Sequence, residues 1–324
     1  MGRTLAVVVL CALALSGAAF GANAGFSPPE PASPNAERIN DAYFWIAIFT
    51  GAILILVEGV LIWFVVRYRA DRRRREQDGA QVHGNTNLEL AWTVAPVLIL
   101  VAIGTFVFYK LPGIQEVPEA NAQNQRVDVT VKGYRFYWNF EYPNGVIAVD
   151  NLRAPVGRPV RLAVTAPDFD VIHSWWIPAL GGKFDAIPGK VNETWFQAKG
   201  PGTYRGQCAE FCGTQHAAMD AAVEAMPAEE FEQWLEEEAQ AQDDGTSDLG
   251  AQTFAGACAK CHGDEGQGDI GPQLSGNPLL ADADAVEQVV REGRGKMPPV
   301  GKDWQDRQME ALTAYLEEEL LRGG

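Results

Sequence analysis

The chain has 324 residues, 47% of them hydrophobic, so it is longer than one ordinary domain and two or three folded units are expected. Its formal net charge of −16 argues against nucleic acid as a partner, because phosphate binding needs clustered Lys and Arg side chains on an exposed face. Four of the five cysteines form two tight pairs, each close to a histidine, which indicates a bound metal or cofactor rather than disulfides.

Residues 1–24 have the pattern of a secretory signal peptide. They contain a short basic start, an apolar stretch and small residues at Ala22 and Ala24. The apolar stretch is near the length of a signal core and short for a membrane span, so we expect cleavage after Ala24 rather than retention as an anchor. A signal peptide of this kind predicts that the chain after it is inserted into or exported across the membrane.

Two long apolar stretches follow within residues 37–112. Residues 42–66 and 90–109 each match the thickness of a bilayer core and are predicted to be transmembrane helices. The loop between them contains the run Arg72–Arg75, which marks it as cytoplasmic by the positive-inside rule. The sequence therefore predicts a transmembrane hairpin in a bacterial inner membrane, with both chain termini and all later domains in the periplasm.

The remainder of the chain divides by composition into a β-domain and a helical domain. Residues 125–235 contain short segments rich in β-branched and aromatic residues between turn residues, which predict a small β-sandwich or barrel. A helical segment, residues 227–240, is predicted to end the β-domain, and the acidic segment from residue 241 has a flexible composition, so residues 236–248 are predicted to be the linker between the domains. Residues 249–324 contain a helical start, a loop-rich middle and a closing amphipathic helix, so this domain is expected to be small and all-α.

One short segment of the β-domain carries Cys208, Cys212, His216 and Met219, with His173 upstream as a further candidate ligand. Two thiolates and two imidazoles can satisfy one zinc ion, so that count leaves zinc open. Met219 would be idle beside zinc but suits copper, and zinc fingers draw their ligands from paired short knuckles rather than from one loop and a distant strand. Copper is favoured. Because a mononuclear blue copper site needs only one thiolate, the additional cysteine indicates a dinuclear centre.

The same segment resembles the CuA loop of subunit II of the haem-copper respiratory oxidases. The resemblance includes DVIHSWWIPALGGKFDAIPGKVNETWF, the aromatic KGYRFYWNFEY and the apolar hairpin, and so covers most of residues 37–235. It implies a cupredoxin-like β-barrel for residues 125–235, with Glu210 binding copper through its backbone carbonyl. The side-chain ligands that it implies are His173, Cys208, Cys212, His216 and Met219.

The resemblance carries three further expectations. The carboxylate of Glu210 is expected to bind magnesium at the junction with the catalytic subunit, because a hard oxygen donor suits magnesium. Glu89 matches a glutamate at the mouth of a proton pathway, although a carboxylate that favours the start of a helix explains it equally well. Phe136 occupies the position at which relatives that accept electrons from soluble cytochrome c have Trp, and Trp138 matches the second aromatic residue. Both are candidates for electron transfer, with a place in the strand core as the alternative.

The second cysteine pair lies in the sequence Cys258-Ala-Lys-Cys261-His262, which is typical of covalent c-type haem attachment. A redox dithiol is the competing interpretation, but thioredoxin-like motifs lack the following histidine and occur in a βαβ context. Met297, in a loop rich in Gly and Pro, is the candidate second axial ligand. The alternative, Met309, lies on the apolar face of the closing helix. The whole domain resembles a class I cytochrome c.

A copper domain and a haem domain on one chain together resemble subunit II of a caa-type cytochrome c oxidase. This implies that electrons pass from cytochrome c or a cytochrome bc complex to haem c, then to CuA, and then to subunit I, where oxygen is reduced to water with proton pumping. Subunits I and III are the implied partners. The alternatives are the electron-accepting subunit of a CuA-containing nitric oxide reductase and a membrane-anchored copper-binding assembly factor, which would not need a covalent haem.

Overall fold

The structure is a computed structural model that describes residues 28–69, 81–119 and 125–322. The predicted signal peptide and the run Arg72–Arg75 lie outside the described residues. The chain forms two compact units, one containing residues 38–114 and the other containing residues 28–37 and 115–324. Each unit is described by itself.

The first unit is built from the two apolar helices. Helix α1 (Pro34–Arg67) and helix α2 (Thr86–Lys110) are long and apolar enough to cross a membrane, with mean hydropathies of 2.4 and 2.3 in their most apolar windows. The short helix α3 (Pro112–Gln115) follows. An ion pair between Lys110 Nζ and Asp41 Oδ2, 2.9 Å apart, joins the two long helices. Both predicted spans lie inside these helices.

The start of α2 has a side-chain cap. Asn85 accepts the backbone N–H of Leu88 at 3.1 Å, and Glu89 Oε1 accepts the backbone N–H of Asn85 at 3.2 Å. Such reciprocal bonds satisfy two of the N–H groups that a helix leaves unpaired at its amino end. Glu89 therefore has a structural contact in addition to the proton-pathway role that the resemblance implies.

The β-domain of the second unit contains three sheets. Its strands are β1 (Val127–Tyr134), β2 (Tyr137–Glu141), β3 (Ile147–Val149), β4 (Asn151–Pro155), β5 (Val160–Thr165), β6 (His173–Trp175), β7 (Phe184–Ala186), β8 (Asn192–Phe196), β9 (Gly202–Gln207) and β10 (Asp220–Met226). The five-stranded sheet has the order β3-β2-β1-β5-β8, the three-stranded sheet β4-β10-β9, and the two-stranded sheet β6-β7. Strand β1 pairs antiparallel with β2 and parallel with β5.

The core of the β-domain follows from alternation along its strands. In β5, Val160, Leu162 and Val164 point inward and are buried, while the intervening residues are half-buried. Period-two alternation of this kind places one face of a strand against a core. Trp138 and Trp175 meet edge to face in this core, with ring centroids 5.3 Å apart. The predicted sandwich with a cupredoxin-like arrangement is confirmed.

Helix α4 (Ala228–Asp243) contains the helical segment predicted over residues 227–240 and extends it to residue 243, into the segment predicted to be flexible. Gln242 is buried, and its amide accepts the backbone N–H of Ile147 at 3.0 Å and donates to the backbone carbonyl of Ile147 at 2.7 Å. Phe231, in the first half of the helix, is buried in the β-domain core. The acidic composition that suggested a flexible segment belongs to the exposed face of an amphipathic helix.

The carboxyl-terminal domain is helical, as predicted. Its elements are α5 (Leu249–Thr253), a π-helical turn (Phe254–Cys258), α6 (Ala259–His262), a 3₁₀ turn (Pro278–Ala281), α7 (Ala283–Glu292), α8 (Asp306–Tyr315) and a closing π-helical segment (Leu316–Arg322). Helix α8 packs on α5. Met309 in α8 is buried in the core, at 2% exposure, which fits the core alternative for this methionine.

The core of the helical domain continues into the β-domain. Tyr134 and Tyr137 stack with ring centroids 4.9 Å apart and belong to the same buried cluster as the helical residues. The hydroxyl of Tyr137 donates to the carbonyl of Val300 at 2.9 Å and accepts the indole N–H of Trp304 at 2.7 Å. The two domains therefore share this second buried cluster, which is separate from the main core of the β-domain.

We expect Tyr137→Phe to lower the free energy of unfolding by about 2 kcal/mol, because an unsatisfied buried polar group costs about 1–3 kcal/mol. The substitution leaves the indole N–H of Trp304 and the carbonyl of Val300 without their partner. Urea denaturation of the detergent-solubilised chain, followed by tryptophan fluorescence, measures the change. Tyr204→Phe is the matched control, because that hydroxyl donates only to the Gly200 carbonyl at a half-buried position. Equal stability of the Tyr137 variant and the parent would contradict the shared cluster.

Candidate metal centre

The candidate metal site lies in the loop between two paired strands. Strands β9 and β10 are antiparallel neighbours, and their register brings Gln207 opposite Asp220. One step further, the backbone N–H of Cys208 donates to the carbonyl of Met219 at 2.9 Å and closes the base of the loop. The ends of the loop are thereby held together, so donors that are eleven positions apart in sequence become neighbours.

The structure brings all the predicted side-chain ligands together. Cys212 Sγ lies 4.0 Å from Cys208 Sγ, 3.8 Å from Met219 Sδ and 3.6 Å from His216 Nδ1. His173 Nδ1 lies 3.9 Å from Cys208 Sγ. An imidazole nitrogen thus stands beside each of the two sulfurs. Cys208, Cys212, Met219 and His173 are buried, while His216 is half-buried.

The backbone carbonyl and the side-chain carboxylate of Glu210 have different surroundings. Its backbone carbonyl lies 3.2 Å from Cys208 Sγ and so faces the donor cluster, whereas the residue as a whole is exposed. The neighbouring Phe211 is 78% exposed, so the tip of the loop presents an aromatic ring on its outer side. The carbonyl is available to a metal inside the loop, and the carboxylate is available to a group outside it.

His173 is positioned by contacts that sequence reasoning missed. Its Nε2 lies 3.5 Å from Asp170 Oδ1 without a well-formed hydrogen bond, and the guanidinium of Arg135 donates to the same carboxylate at 2.9 Å. The other side of the ring faces Gly133, where a Cβ would lie 3.1 Å from the imidazole. The position of Asp170, three residues before His173, was the one sequence feature that could have indicated this contact. The role of Arg135 depends on the folded chain.

The acid–base properties of the cluster favour metal binding. Burial lowers the pKa of His173, but the contacts with Asp170 and Cys208 outweigh it, and the net pKa lies above the usual value. The hydrogen bond from Cys212 lowers the pKa of Cys208 to about 3, while the same contact and burial raise the pKa of Cys212. Both shifts arise from the close approach of the two sulfurs, and binding of a metal would displace the protons that the thiols retain.

The donor set fits a pair of copper ions. Two thiol sulfurs, one imidazole beside each of them and a thioether make five soft or borderline donors around one small volume, with an inward carbonyl oxygen as a sixth donor. Four donors suffice for tetrahedral zinc. The surplus of donors, and the thioether among them, fits two copper ions better than one zinc ion.

In the second cysteine cluster, the imidazole of His262 is oriented so that one ring nitrogen is available to a haem iron. His262 Nδ1 donates to the carbonyl of Pro272 at 2.7 Å, which leaves Nε2 as the nitrogen available to a metal. Cys258 is buried, and burial raises the pKa of its thiol to about 12, whereas Cys261 is half-buried. Gly271 approaches so closely that a Cβ there would lie 2.7 Å from His262 Cε1. These features fit covalent haem with His262 as a ligand of iron.

Met297 lies beside the core of the helical domain, and the two candidate aromatic residues lie near the metal loop. Met297 is half-buried against the helical core, in a tight turn closed by two backbone hydrogen bonds of 3.0 Å with Arg294. Trp138 is fully buried, and its ring meets His173 with centroids 6.1 Å apart. Phe136 is half-buried, and a Cβ on Gly213 of the metal loop would lie 3.0 Å from its ring. Both aromatic residues therefore border the metal site.

Comparison with known families matches three segments of the chain. Residues 21–109 match the transmembrane domain of cytochrome c oxidase subunit II, and residues 145–226 match the periplasmic domain of the same subunit. Residues 245–316 match a family described as cytochrome c oxidase, cbb3-type, subunit III. The three matches follow one another along the chain in the order of the membrane helices, the β-domain and the helical domain.

Individual relatives agree with these matches. The chain is 33% identical over 311 residues to cytochrome c oxidase subunit 2 of Alkalihalophilus pseudofirmus, which covers 89% of each chain. It is 34% identical over 252 residues to cytochrome c oxidase subunit 2 of Cereibacter sphaeroides, covering 66% of this chain and 79% of that protein. Among solved structures, the periplasmic domain of subunit II of cytochrome oxidase from Bradyrhizobium japonicum is 33% identical, with a TM-score of 0.35, and covers 38% of this chain and 97% of that one.

Proposed function

Because the chain belongs to the cytochrome c oxidase subunit II family and carries a fused cytochrome c domain, we propose that it accepts electrons at a covalent haem c and relays them through CuA to the catalytic subunit. The observation that carries the proposal is the convergence of both thiols with imidazole and thioether donors within 4.0 Å of each other. The chain is a component of an oxidoreductase. Oxygen is reduced to water in subunit I, with coupled proton pumping.

The proposed copper ligands divide into bridging and terminal groups. Cys208 and Cys212 would bridge the ions, and the terminal donors would be His173, His216, Met219 and the backbone carbonyl of Glu210. Bound there, the copper pair supplies reversible one-electron transfer. The chain contributes exclusion of water, since both thiols are buried, and a fixed imidazole, since Asp170 and Arg135 hold the outer side of His173.

The proposed haem ligands come from the helical segment that ends at His262 and from the turn that contains Met297. Cys258 and Cys261 would form the thioether bonds, and His262 and Met297 would be the axial ligands. The Pro272 carbonyl fixes the tautomer of His262. Met/His ligation raises the reduction potential of a haem, which suits a centre that receives electrons from cytochrome c or a cytochrome bc complex.

We place the helices in a bacterial inner membrane, with the copper and haem domains in the periplasm. Subunits I and III are the proposed partners. The exposed Phe211 and Glu210 at the tip of the metal loop form a small apolar and acidic patch suited to a partner subunit. Glu210 would bind magnesium there through its carboxylate, with copper on the carbonyl side.

Glu89 is proposed as a proton-uptake residue at the start of α2. Its exposure supports this role, because a carboxylate at a membrane surface can exchange protons with water. Its hydrogen bond to the N–H of Asn85 supports a second role in capping the helix. Glu89→Gln separates the two roles, because the amide keeps an oxygen that can accept the N–H but cannot carry a proton.

Anaerobic rapid mixing of the purified complex with a reduced donor, followed by a pulse of oxygen, tests the proposed function. We expect absorbance changes of haem c to precede those of CuA, and oxygen uptake to follow. Consumption of nitric oxide without consumption of oxygen would assign the chain to a nitric oxide reductase instead. Transfer of copper to an acceptor protein without any redox change would assign it to copper delivery.

A further inference from the structure

The haem-attachment turn lies directly on the copper domain, and one lysine makes the contact. Lys260, between the two cysteines, donates from Nζ to Asp150 Oδ2 at 2.8 Å and to the backbone carbonyl of Phe136 at 2.7 Å. Its own backbone carbonyl accepts the side-chain N–H of Gln215 at 2.7 Å. Gln215 immediately precedes the ligand candidate His216. One residue of the haem motif therefore touches three parts of the copper domain.

The partner of the lysine is held in an uncommon conformation. Asp150 lies between β3 and β4 with a φ of 57°, in the left-handed region that non-glycine residues seldom adopt. In this conformation its Oδ1 accepts the N–H of Trp138 at 2.7 Å while Oδ2 faces Lys260. Its carbonyl accepts the N–H of Ala222 at 3.1 Å. Strained residues of this kind persist where surrounding contacts determine them, and here those contacts aim a carboxylate at the haem turn.

Close backbone approach supports the same docking. Gly256, two residues before Cys258, faces β3 so closely that a Cβ would lie 2.5 Å from Val149 Cγ1 and 3.2 Å from Asp150 Oδ2. The N–H of Val149 lies 3.4 Å from Gln252 Oε1 in α5. The first turns of the haem domain are therefore fitted to the edge strand of the copper domain, and they are not merely tethered to it.

We propose that Lys260 and Gln215 are positioning residues that dock the haem-attachment turn and connect it to the copper loop, so that electrons pass between the centres inside one docked unit. This inference rests on the proposed function. The connection runs from Cys261 through one peptide bond to the Lys260 carbonyl, across its hydrogen bond to the Gln215 amide, and along the chain to His216. The step moves one electron: the haem iron is oxidised, the copper pair is reduced, and no bond forms or breaks.

The bonded connection matters because electronic coupling decays less steeply along covalent and hydrogen bonds than across a gap between surfaces. The clamp of Lys260 on Asp150 and on the Phe136 carbonyl holds the turn against the copper domain. Among the described residues, the amide of Gln215 supplies the hydrogen bond from the metal loop to the haem motif. Docking and connection are thus separate contributions of two residues, and they can be removed separately.

The test uses Lys260→Met and Gln215→Met in the complete complex with both cofactors. Photochemical reduction of haem c and the subsequent absorbance change of CuA give the rate between the centres. Deuterium exchange of the peptide containing Val149 reports docking without reference to activity. Lys190→Met and Gln233→Met, at exposed positions, are the matched controls.

For Lys260→Met we expect the rate to fall about tenfold or more and the exchange at Val149 to accelerate, because removal of one partner leaves the Asp150 charge without its counter-ion. For Gln215→Met we expect a slower rate with exchange unchanged. Parent-like rates in both variants would overturn the inference. Absence of the CuA or haem c spectrum from the parent would instead contradict the proposed function, so the two failures are distinguishable.

Discussion

Cys212→Ser is expected to remove one copper ion from the chain and abolish electron transfer to the catalytic subunit. Cys212 Sγ is within 4.0 Å of Cys208 Sγ, Met219 Sδ and His216 Nδ1, so it stands at the centre of the donor set. A serine oxygen is a hard donor and a poor bridge between soft ions. Mutation of a residue that hydrogen-bonds to a metal ligand typically lowers the metal affinity roughly 10–100-fold. Loss of a bridging ligand itself should lower the affinity more.

Copper analysis and electron paramagnetic resonance of the variant measure this effect. The expected result is one copper ion in place of two, with loss of the hyperfine pattern of a shared electron. Thr214→Ala, at an exposed position of the same loop, is the control and should behave as the parent. Full copper content and an unchanged spectrum in the serine variant would show that Cys212 is not a ligand.

His262→Ala is expected to leave haem attached through the two cysteines but to stop its reduction by a physiological donor. The imidazole is oriented by its hydrogen bond to the Pro272 carbonyl, and its removal would take away the proposed axial ligand of the haem. The haem spectrum should change to that of an iron lacking this ligand. Donor oxidation should fall to the level measured without enzyme, while the copper spectrum remains.

His83→Ala is the control for the histidine variant, because His83 is exposed in the segment before α2. It should leave the haem spectrum and the rate of donor oxidation unchanged. If His262→Ala kept a parent-like haem spectrum, another residue would be the axial ligand. If it kept a parent-like rate with an altered spectrum, electrons would enter the chain at copper rather than at haem.

The proximity of the proposed copper donors was predictable because four of them lie in one loop. Hydrogen bonding between β9 and β10 closes that loop, so the short spacing from Cys208 to Met219 becomes spatial proximity in any fold that pairs the flanking strands. His173 was predictable as the histidine of a distant strand. Arg135, which binds the Asp170 carboxylate beside His173, was not predictable, because that contact arises only from tertiary packing.

The docking between the β-domain and the helical domain left a weaker signal in the sequence. Strand β2 has Tyr137, Trp138, Asn139 and Phe140 buried in succession, instead of alternating. A strand covered on both faces reads as a continuous run rather than as an alternation. The aromatic run is visible in the sequence, but it does not indicate what covers the second face of the strand. The residues that do so, Trp304 and Gln308, lie more than a hundred positions away in the chain.

The linker was mispredicted for a related reason. The acidic residues from 241 on suggested a flexible segment, but α4 continues to Asp243 and Gln242 bonds it to the backbone of Ile147 in the β-domain. The consequence for function is large. A flexible tether raises the local concentration of a haem domain, whereas a docked domain fixes its distance and orientation to copper.

Metal analysis and electron paramagnetic resonance of the freshly purified complex test the central claim most directly. The account predicts two copper ions in the loop from Cys208 to Met219 that share one unpaired electron, beside one covalent haem. Zinc in that loop, or a single copper ion with the spectrum of a mononuclear site, would contradict it.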